Sequence, residues 1–113
     1  MQSDARTKTE MQIAGRKIGP DHPPYVISEI SCNHHGDLET AKKTITAAVA
    51  AGADAVKIQC YTADSICADT EFVIPDGPWA GRRLYELYSD AHTPPSMVGD
   101  MFEFARSNGI TLF

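Results

Sequence analysis

Two charged residues stand inside otherwise apolar runs of the sequence, Glu29 within Tyr25–Ser31 and Lys57 within Ala53–Tyr61. Burying a charged side chain is costly unless it is paired or reserved for a ligand. An ammonium group suits a phosphate or carboxylate, and the amide of Gln59 suits sugar hydroxyls. A carboxylate can orient an attacking water or take its proton. Together, these residue types are compatible with a site for an anion and a hydroxylated partner.

The elements that must position these residues are two strands joined by a helix. Tyr25–Ser31 and Ala53–Tyr61 are rich in apolar and β-branched residues, which predicts buried strands. Between them, apolar residues at helical spacing predict a helix from about residue 38 to 51, which Asp37 can cap and Gly52 can end. A strand, helix and strand in this succession predict parallel pairing of the two strands.

Strand alternation predicts that Glu29, Lys57 and Gln59 share one face of this sheet, near the carboxyl ends of the strands. Folds of the α/β class place their active sites at that end. Two interpretations remain open at this point: a structural Glu29–Lys57 ion pair with Gln59 hydrogen-bonded beside it, or a substrate site. The residues predicted to face the helices are Val26, Ser28, Ile30, Val56, Ile58 and Cys60.

The remaining segments predict an incomplete α/β domain. Residues 1–12 are expected to form a disordered or frayed terminus, and residues 13–113 the domain itself. About two and a half βα units cannot cover both faces of a sheet, and a closed (β/α)₈ barrel needs about 200 residues or more. We therefore predict the amino-terminal portion of a TIM barrel; the alternative is a chain that completes its sheet by assembling with partners. The other predicted segments are a hairpin over 13–18, a long irregular connection over 62–81, a helical stripe of Leu84, Leu87, Tyr88 and Ala91, a helix beginning at Pro94 with core residues Met97, Val98, Met101, Phe102 and Ala105, and a strand over 110–113.

Composition argues against several classes of protein. The chain carries 15 acidic and 10 basic residues, for a net charge of −5, and no basic run is longer than Arg82-Arg83, which argues against nucleic-acid binding. No stretch reaches the roughly 20 apolar residues of a membrane span, and the first residues lack a signal-peptide pattern. The 3 cysteines show no CxxC spacing, so a disulfide framework or a four-ligand zinc site is not expected. We expect a cytoplasmic protein without a membrane partner.

Three stretches resemble the start of the sialic acid synthase family. Tyr25–Gly36 (YVISEISCNHHG) and Ala50–Tyr61 (AAGADAVKIQCY) match its first two strand motifs, and Trp79–Pro94 (WAGRRLYELYSDAHTP) is similar to its pseudaminate branch. The resemblance implies a (β/α)₈ barrel followed by a small antifreeze-like domain. It also implies a homodimer for the full-length protein.

The resemblance further implies condensation of phosphoenolpyruvate with an acetamido sugar, giving the nonulosonic acid pseudaminate and phosphate. A divalent metal, Mn²⁺ or Mg²⁺, would polarise the sugar aldehyde, with its ligands outside this chain, so no metal ligand is assigned here. Two alternatives stay open: synthesis of N-acetylneuraminate from N-acetylmannosamine, or a catalytically inactive fragment that only binds sugar or partner chains.

Individual roles follow from the same resemblance. It implies that Glu29 is the active-site carboxylate of the first strand, that Lys57 binds phosphoenolpyruvate and that Gln59 contacts the sugar. The further residues predicted to bind substrate are Asn33, His34 and Tyr61.

Overall fold

The computed structural model describes residues 9–113, and these residues form a mixed α/β fold, as predicted. Three parallel strands lie in the order β3-β4-β5, and a separate antiparallel pair, β1-β2, precedes them. The strands are β1 (Met11–Ile13), β2 (Arg16–Ile18), β3 (Ile27–Ser31), β4 (Ala55–Ile58) and β5 (Thr111–Leu112), and the helices are α1 (Leu38–Ala50), α2 (Ala63–Ile66), α3 (Leu84–Ala91) and α4 (Pro95–Ser107).

The predicted strand–helix–strand unit is present as β3-α1-β4. Asp37 caps α1, because its carboxylate accepts hydrogen bonds from the Thr40 N–H at 2.8 Å and the Thr40 hydroxyl at 2.6 Å. Gly52, at φ 85°, takes the left-handed conformation that ends the helix. The crossover therefore returns the chain to the sheet beside and parallel to β3, so that the carboxyl ends of both strands meet at one edge.

The hydrophobic core lies between the sheet and helices α1 and α4. Ile45 of α1, Val56 of β4 and Met101 of α4 are completely buried at its centre. The prediction for α4 is wrong at one position: Phe102 is exposed, and Phe104 packs against the core instead. The buried face of α4 is centred on Met97, Met101 and Ala105. Phe104 follows Met101 by three positions, and residues three apart lie on the same side of a helix.

Strands β3 and β4 are shorter in the structure than the sequence predicts. Val26 precedes the first residue of β3 and Cys60 follows the last residue of β4, and both side chains are exposed. Their predicted orientation toward the helices is wrong, because pleated alternation applies only within the strands. Within the strands the prediction is confirmed for Ile30, Val56 and Ile58, which belong to the core.

The amino-terminal hairpin begins at Met11, earlier than predicted, so the predicted terminus ends before residue 11. Residues 1–8 of that terminus lie outside the described part of the chain. Arg16 fastens the hairpin to the parallel sheet: its guanidinium lies 3.5 Å from Asp54 and donates to the Pro24 carbonyl at 3.1 Å. Asp54 in turn accepts a hydrogen bond from the Val26 N–H at 2.8 Å, just before β3.

The long connection between β4 and α3 is more ordered than the sequence predicts. It contains α2 and a folded-back segment, residues 72–84, which we call the 72–84 arm. Its two sides are joined by hydrogen bonds from the Leu84 N–H to the Phe72 carbonyl at 3.0 Å and from the Ile74 N–H to the Arg82 carbonyl at 2.9 Å. Gly77, at φ 82°, supplies a backbone conformation that allows the reversal.

None of the helices within residues 9–113 combines the length and the apolar composition that crossing a membrane requires.

Candidate functional site

Glu29 and Lys57 lie opposite each other on β3 and β4, as strand alternation predicts. They are register partners in the parallel ladder, and Lys57 Nζ lies 2.9 Å from Glu29 Oε2. Their side chains remain 41% and 51% exposed, respectively. The charged pair is therefore formed, and it lies on an accessible face of the sheet rather than inside a core.

The backbone beyond Glu29 is shaped around its carboxylate. Ser31 takes the left-handed conformation, at φ 49°, where the ladder register shifts between Glu29 and Ser31. The Ser31 N–H and hydroxyl then donate to Glu29 Oε1 at 2.9 and 3.0 Å. The hydrogen bond from Lys57, followed by those from Ser31, holds the pKa of Glu29 below its ordinary value of 4.5. The carboxylate is ionised at neutral pH.

A cavity of about 710 Å³ opens beyond the carboxyl ends of β3 and β4. A volume of this size suits a small organic ligand. Three of the predicted substrate-binding residues line it: Asn33, Gln59 and Tyr61. Its other lining residues include Ser31, Cys32 and His35 from the loop after β3, Phe72, Ile74, Trp79 and Arg82 from the 72–84 arm, and Leu84, Leu87, Tyr88, Asp90 and Ala91 from α3.

Tyr61 is held in this cavity as a neutral phenol. Its ring meets that of Tyr88 edge to face, with centroids 5.7 Å apart and an interplanar angle of 84°. Burial, contact with the Cys32 thiol and the neighbouring Tyr88 raise the pKa of Tyr61 to about 12. At physiological pH, Tyr61 can therefore donate or accept a hydrogen bond, but it does not act as an anion.

His34 lies behind the cavity rather than in its wall, and it is only 2% exposed. Its Nδ1 accepts a hydrogen bond from the Gly36 N–H at 3.0 Å, so we assign the ring proton to Nε2, which lies 2.8 Å from Thr93 Oγ1. The Thr93 hydroxyl then donates to the Gln59 carbonyl at 2.8 Å. Burial lowers the pKa of His34, which keeps the imidazole neutral. In this geometry His34 reaches the cavity only through Thr93 and Gln59.

Several residues at the cavity were not singled out by the sequence. Thr93, 2% exposed, marked only a helix start in the sequence, yet its hydroxyl links the loop after β3 to the end of β4. Trp79 falls in the connection predicted to be irregular, and Arg82, just beyond that connection, forms an ion pair with Asp90. One sequence feature could have pointed to this segment: the only tryptophan of the chain lies in a connection with Pro and Gly that is longer than ordinary loops.

The described residues offer no metal centre of their own. Within residues 9–113, no group of three or more His, Cys, Asp and Glu side chains converges in a way that could hold a metal ion. These residues therefore do not fit the site of a divalent metal by themselves.

A cavity at the carboxyl ends of parallel strands occupies the position at which α/β folds bind their ligands, and a carboxylate–lysine pair lies on the same two strands. Comparison with known proteins makes this more specific, since the NeuB family matches residues 44–113. The chain belongs to the NeuB family.

The curated relatives are longer than this chain. It is 47% identical over 106 residues to the pseudaminic acid synthase of Campylobacter jejuni, a match that covers 91% of this chain and 30% of the relative. It is 37% identical over 94 residues to the pseudaminic acid synthase of Helicobacter pylori, covering 80% of this chain and 28% of that protein. The chain thus spans about 30% of the length of these relatives.

Solved structures share the fold. The spore coat polysaccharide biosynthesis protein SpsE of Bacillus subtilis superposes with a TM-score of 0.67 at 28% identity, covering 93% of this chain and 27% of that one. The N-acetylneuraminic acid synthetase of Leptospira borgpetersenii, solved with citrate, gives a TM-score of 0.76 at 24% identity, covering 94% and 33%. The likeness to the second structure supports the fold alone.

Proposed function

We propose that the protein condenses phosphoenolpyruvate with an acetamido sugar to form the nonulosonic acid pseudaminate and phosphate. The observation that carries this proposal is the accessible Glu29–Lys57 pair, 2.9 Å apart, on two strands whose carboxyl ends reach a ligand-sized cavity that neither of the two residues lines. The activity named for the relatives in Campylobacter jejuni and Helicobacter pylori supports this choice of reaction.

Lys57 is the proposed anchor for phosphoenolpyruvate. Its side chain is 51% exposed, so the ammonium group can bind a phosphate or carboxylate oxygen without leaving the protein surface. Glu29 stays ionised beside it, because its pKa is held below the ordinary value of 4.5. The pair therefore binds one charged substrate while keeping a carboxylate close to it.

The proposed reaction forms one carbon–carbon bond and replaces the carbon–oxygen bond to phosphate by a carbon–oxygen bond from water. Phosphoenolpyruvate C3 attacks the aldehyde carbon of the open-chain sugar, and the aldehyde oxygen takes up a proton to become a hydroxyl. Water adds at C2, and phosphate leaves with cleavage of its bond to C2. Glu29 is placed to orient that water or to accept its proton, and its lowered pKa favours the orienting role.

Neutral polar groups serve the proposed sugar side of the site. Gln59, Asn33 and Tyr61 line the cavity, and an amide or a neutral phenol can donate to and accept from sugar hydroxyls and amides. The His34–Thr93 contact fixes the Gln59 backbone, so that His34 contributes through position.

We further propose that residues 13–113 are part of a (β/α)₈ barrel and that the full-length protein is a cytoplasmic homodimer. The parallel order β3-β4-β5 with helices packed on one face supports the barrel. A divalent metal, Mn²⁺ or Mg²⁺, would polarise the sugar aldehyde in the complete enzyme. Its ligands would come from outside the described residues.

Replacing Lys57 tests the proposal. In the full-length protein, Lys57→Ala should lower phosphate release from phosphoenolpyruvate and the diacetamido sugar by at least about a hundredfold, because a charged contact to the reacting phosphate is lost. Lys43→Ala, at an exposed position of α1, is the matched control and should keep normal turnover. Near-normal turnover by Lys57→Ala would contradict the assignment.

A second sugar in the same assay distinguishes the alternatives. N-acetylmannosamine is the comparison substrate, because it is the sugar of the N-acetylneuraminate alternative. Faster turnover of N-acetylmannosamine than of the diacetamido sugar would select the N-acetylneuraminate alternative. Sugar binding without phosphate release, for both sugars, would select the catalytically inactive one.

A further inference from the structure

Apart from Arg82, the 72–84 arm lines the cavity with apolar side chains. Phe72 and Trp79 both line the cavity, although they are 54% and 55% exposed, and Ile74 lies between them in the sequence on the same wall. Large aromatic side chains in an open concave surface indicate contact with a ligand more often than ordinary packing does.

The 72–84 arm is held in place before any ligand arrives. At its base, Arg83 donates to Asp69 at 2.9 Å and to Glu86 at 3.2 Å. Beside it, the Tyr85 hydroxyl donates to Asp64 at 2.8 Å, which ties α3 to α2. These contacts connect the arm directly to α3 and to the segment after α2, and α3 in turn to α2, so the aromatic side chains of the arm are presented by a preorganised support.

The lining residues that follow β3 and β4 have a different chemistry from those of the arm. Asn33, Gln59 and Tyr61 present neutral hydrogen-bonding groups. Arg82 also lines the cavity, but its charge is paired with Asp90. The ligand that suits this cavity therefore has hydroxyl or amide groups on one side and apolar substituents on the other.

We propose that Phe72 and Trp79 make the 72–84 arm a specificity determinant that recognises the acyl methyl groups of the amino sugar. The inference rests on the proposed function and concerns its sugar side. Phosphoenolpyruvate carries a phosphate and a carboxylate, whose desolvation against an apolar wall would be unfavourable. An acetamido group has a methyl that packs on an aromatic ring and a planar amide that the polar lining residues can hydrogen-bond.

Val73 provides a matched control within the same segment. It lies between Phe72 and Ile74, is 49% exposed and does not line the cavity. Val73→Ala therefore removes apolar surface from the same arm without changing the wall that we assign to the sugar.

The test compares sugars that differ by one methyl group, acetamido against formamido, in the full-length protein. The wild type should prefer the acetamido sugar by about fourfold in kcat/KM for each contacted methyl group. In Phe72→Ala and Trp79→Ala this preference should approach one, with KM for the acetamido sugar raised about five- to tenfold. KM for phosphoenolpyruvate should stay within about twofold of the wild-type value in these variants. In Val73→Ala, both KM values and the preference for the acetamido sugar should stay within about twofold of wild type.

The outcomes separate this inference from the proposed function. If the wild type releases phosphate and both aromatic variants behave as Val73→Ala does, the inference alone is overturned. An equal rise of both KM values would also overturn it, because the arm would not act on the sugar specifically. Absence of phosphate release by the wild type with any amino sugar would overturn the proposed function and the inference together. Trp79→Leu, which keeps part of the apolar volume, should retain part of the methyl preference and thereby exclude a folding defect.

Discussion

Two polar contacts near the carboxyl ends of β3 and β4 differ in one property, their access to solvent. The Glu29–Lys57 pair is roughly half exposed, whereas His34 and Thr93 are each 2% exposed. An exposed pair can exchange part of its contact for a ligand. A buried pair cannot do so without leaving polar atoms unsatisfied. The first contact is therefore suited to binding, and the second to fixing the residues that bind.

The energetics of the two contacts differ in the same direction. An exposed ion pair contributes about 0–1 kcal/mol to stability. Leaving a buried hydrogen-bonding group without its partner costs about 1–3 kcal/mol. We therefore expect changes at Glu29 and Lys57 to affect turnover more than stability. Changes at His34 and Thr93 should affect stability more than turnover.

The largest effect is expected at Glu29. Glu29→Gln keeps the shape of the side chain but removes its charge, and turnover of the full-length protein should fall by about a hundredfold or more, as is usual when a charged group that positions a reactant is lost. The free energy of unfolding should change by less than about 1 kcal/mol. Phosphate release and urea unfolding measure the two quantities.

Glu39→Gln, which breaks the exposed Glu39–Lys42 pair on α1, is the control and should leave turnover unchanged. A large loss of stability in Glu29→Gln, with turnover retained, would reverse the comparison and make the Glu29–Lys57 pair structural.

Thr93→Val should give the next largest effect, on stability. The substitution keeps the volume but removes the hydroxyl that joins His34 Nε2 to the Gln59 carbonyl, both at 2.8 Å. We expect a loss of about 1–3 kcal/mol in the free energy of unfolding. Thr93→Ser retains the hydroxyl and should lose clearly less. Equal losses in both variants would show that the methyl group, rather than the hydrogen bond, stabilises this position.

The smallest effect is the pH dependence that His34 confers on stability. Burial, reinforced by the neighbouring His35, lowers the pKa of His34 from its ordinary value of 6.5. Below pH 6.5 the unfolded chain therefore binds a proton that the folded protein does not, and stability falls as the pH is lowered. The fall ends once the folded imidazole is protonated as well.

Thermal unfolding between pH 7 and about pH 5 measures this effect, since the window brackets an ordinary histidine. Over this pH range, the midpoint temperature of unfolding should fall less in His34→Gln than in the wild type. His35→Asn, in the exposed loop, should leave the fall largely in place. An identical pH dependence in the wild type and His34→Gln would show that His34 does not cause it.

The juxtaposition of Glu29 and Lys57 could be predicted from sequence because it depends on local regularities. Strand alternation gives the face of each residue, and the helix between the strands gives parallel pairing. Substrate binding by Glu29, Lys57, Gln59, Asn33 and Tyr61 stays a prediction, and the structure adds that Asn33, Gln59 and Tyr61 share one cavity. The strand ends were less predictable, since Val26 and Cys60 continue the apolar pattern beyond the hydrogen-bonded ladder.

By itself, the sequence determined the β3-α1-β4 unit, the main buried positions of its helix and strands, and the pairing of Glu29 with Lys57. Each of these follows from the period of a strand or helix or from a cap within a few residues. Only the tertiary structure decided that His34 is interior, since its partner Thr93 is 59 residues away, and that the 72–84 arm forms an aromatic wall. Those features depend on which distant segments meet, and local periodicity carries no information about that.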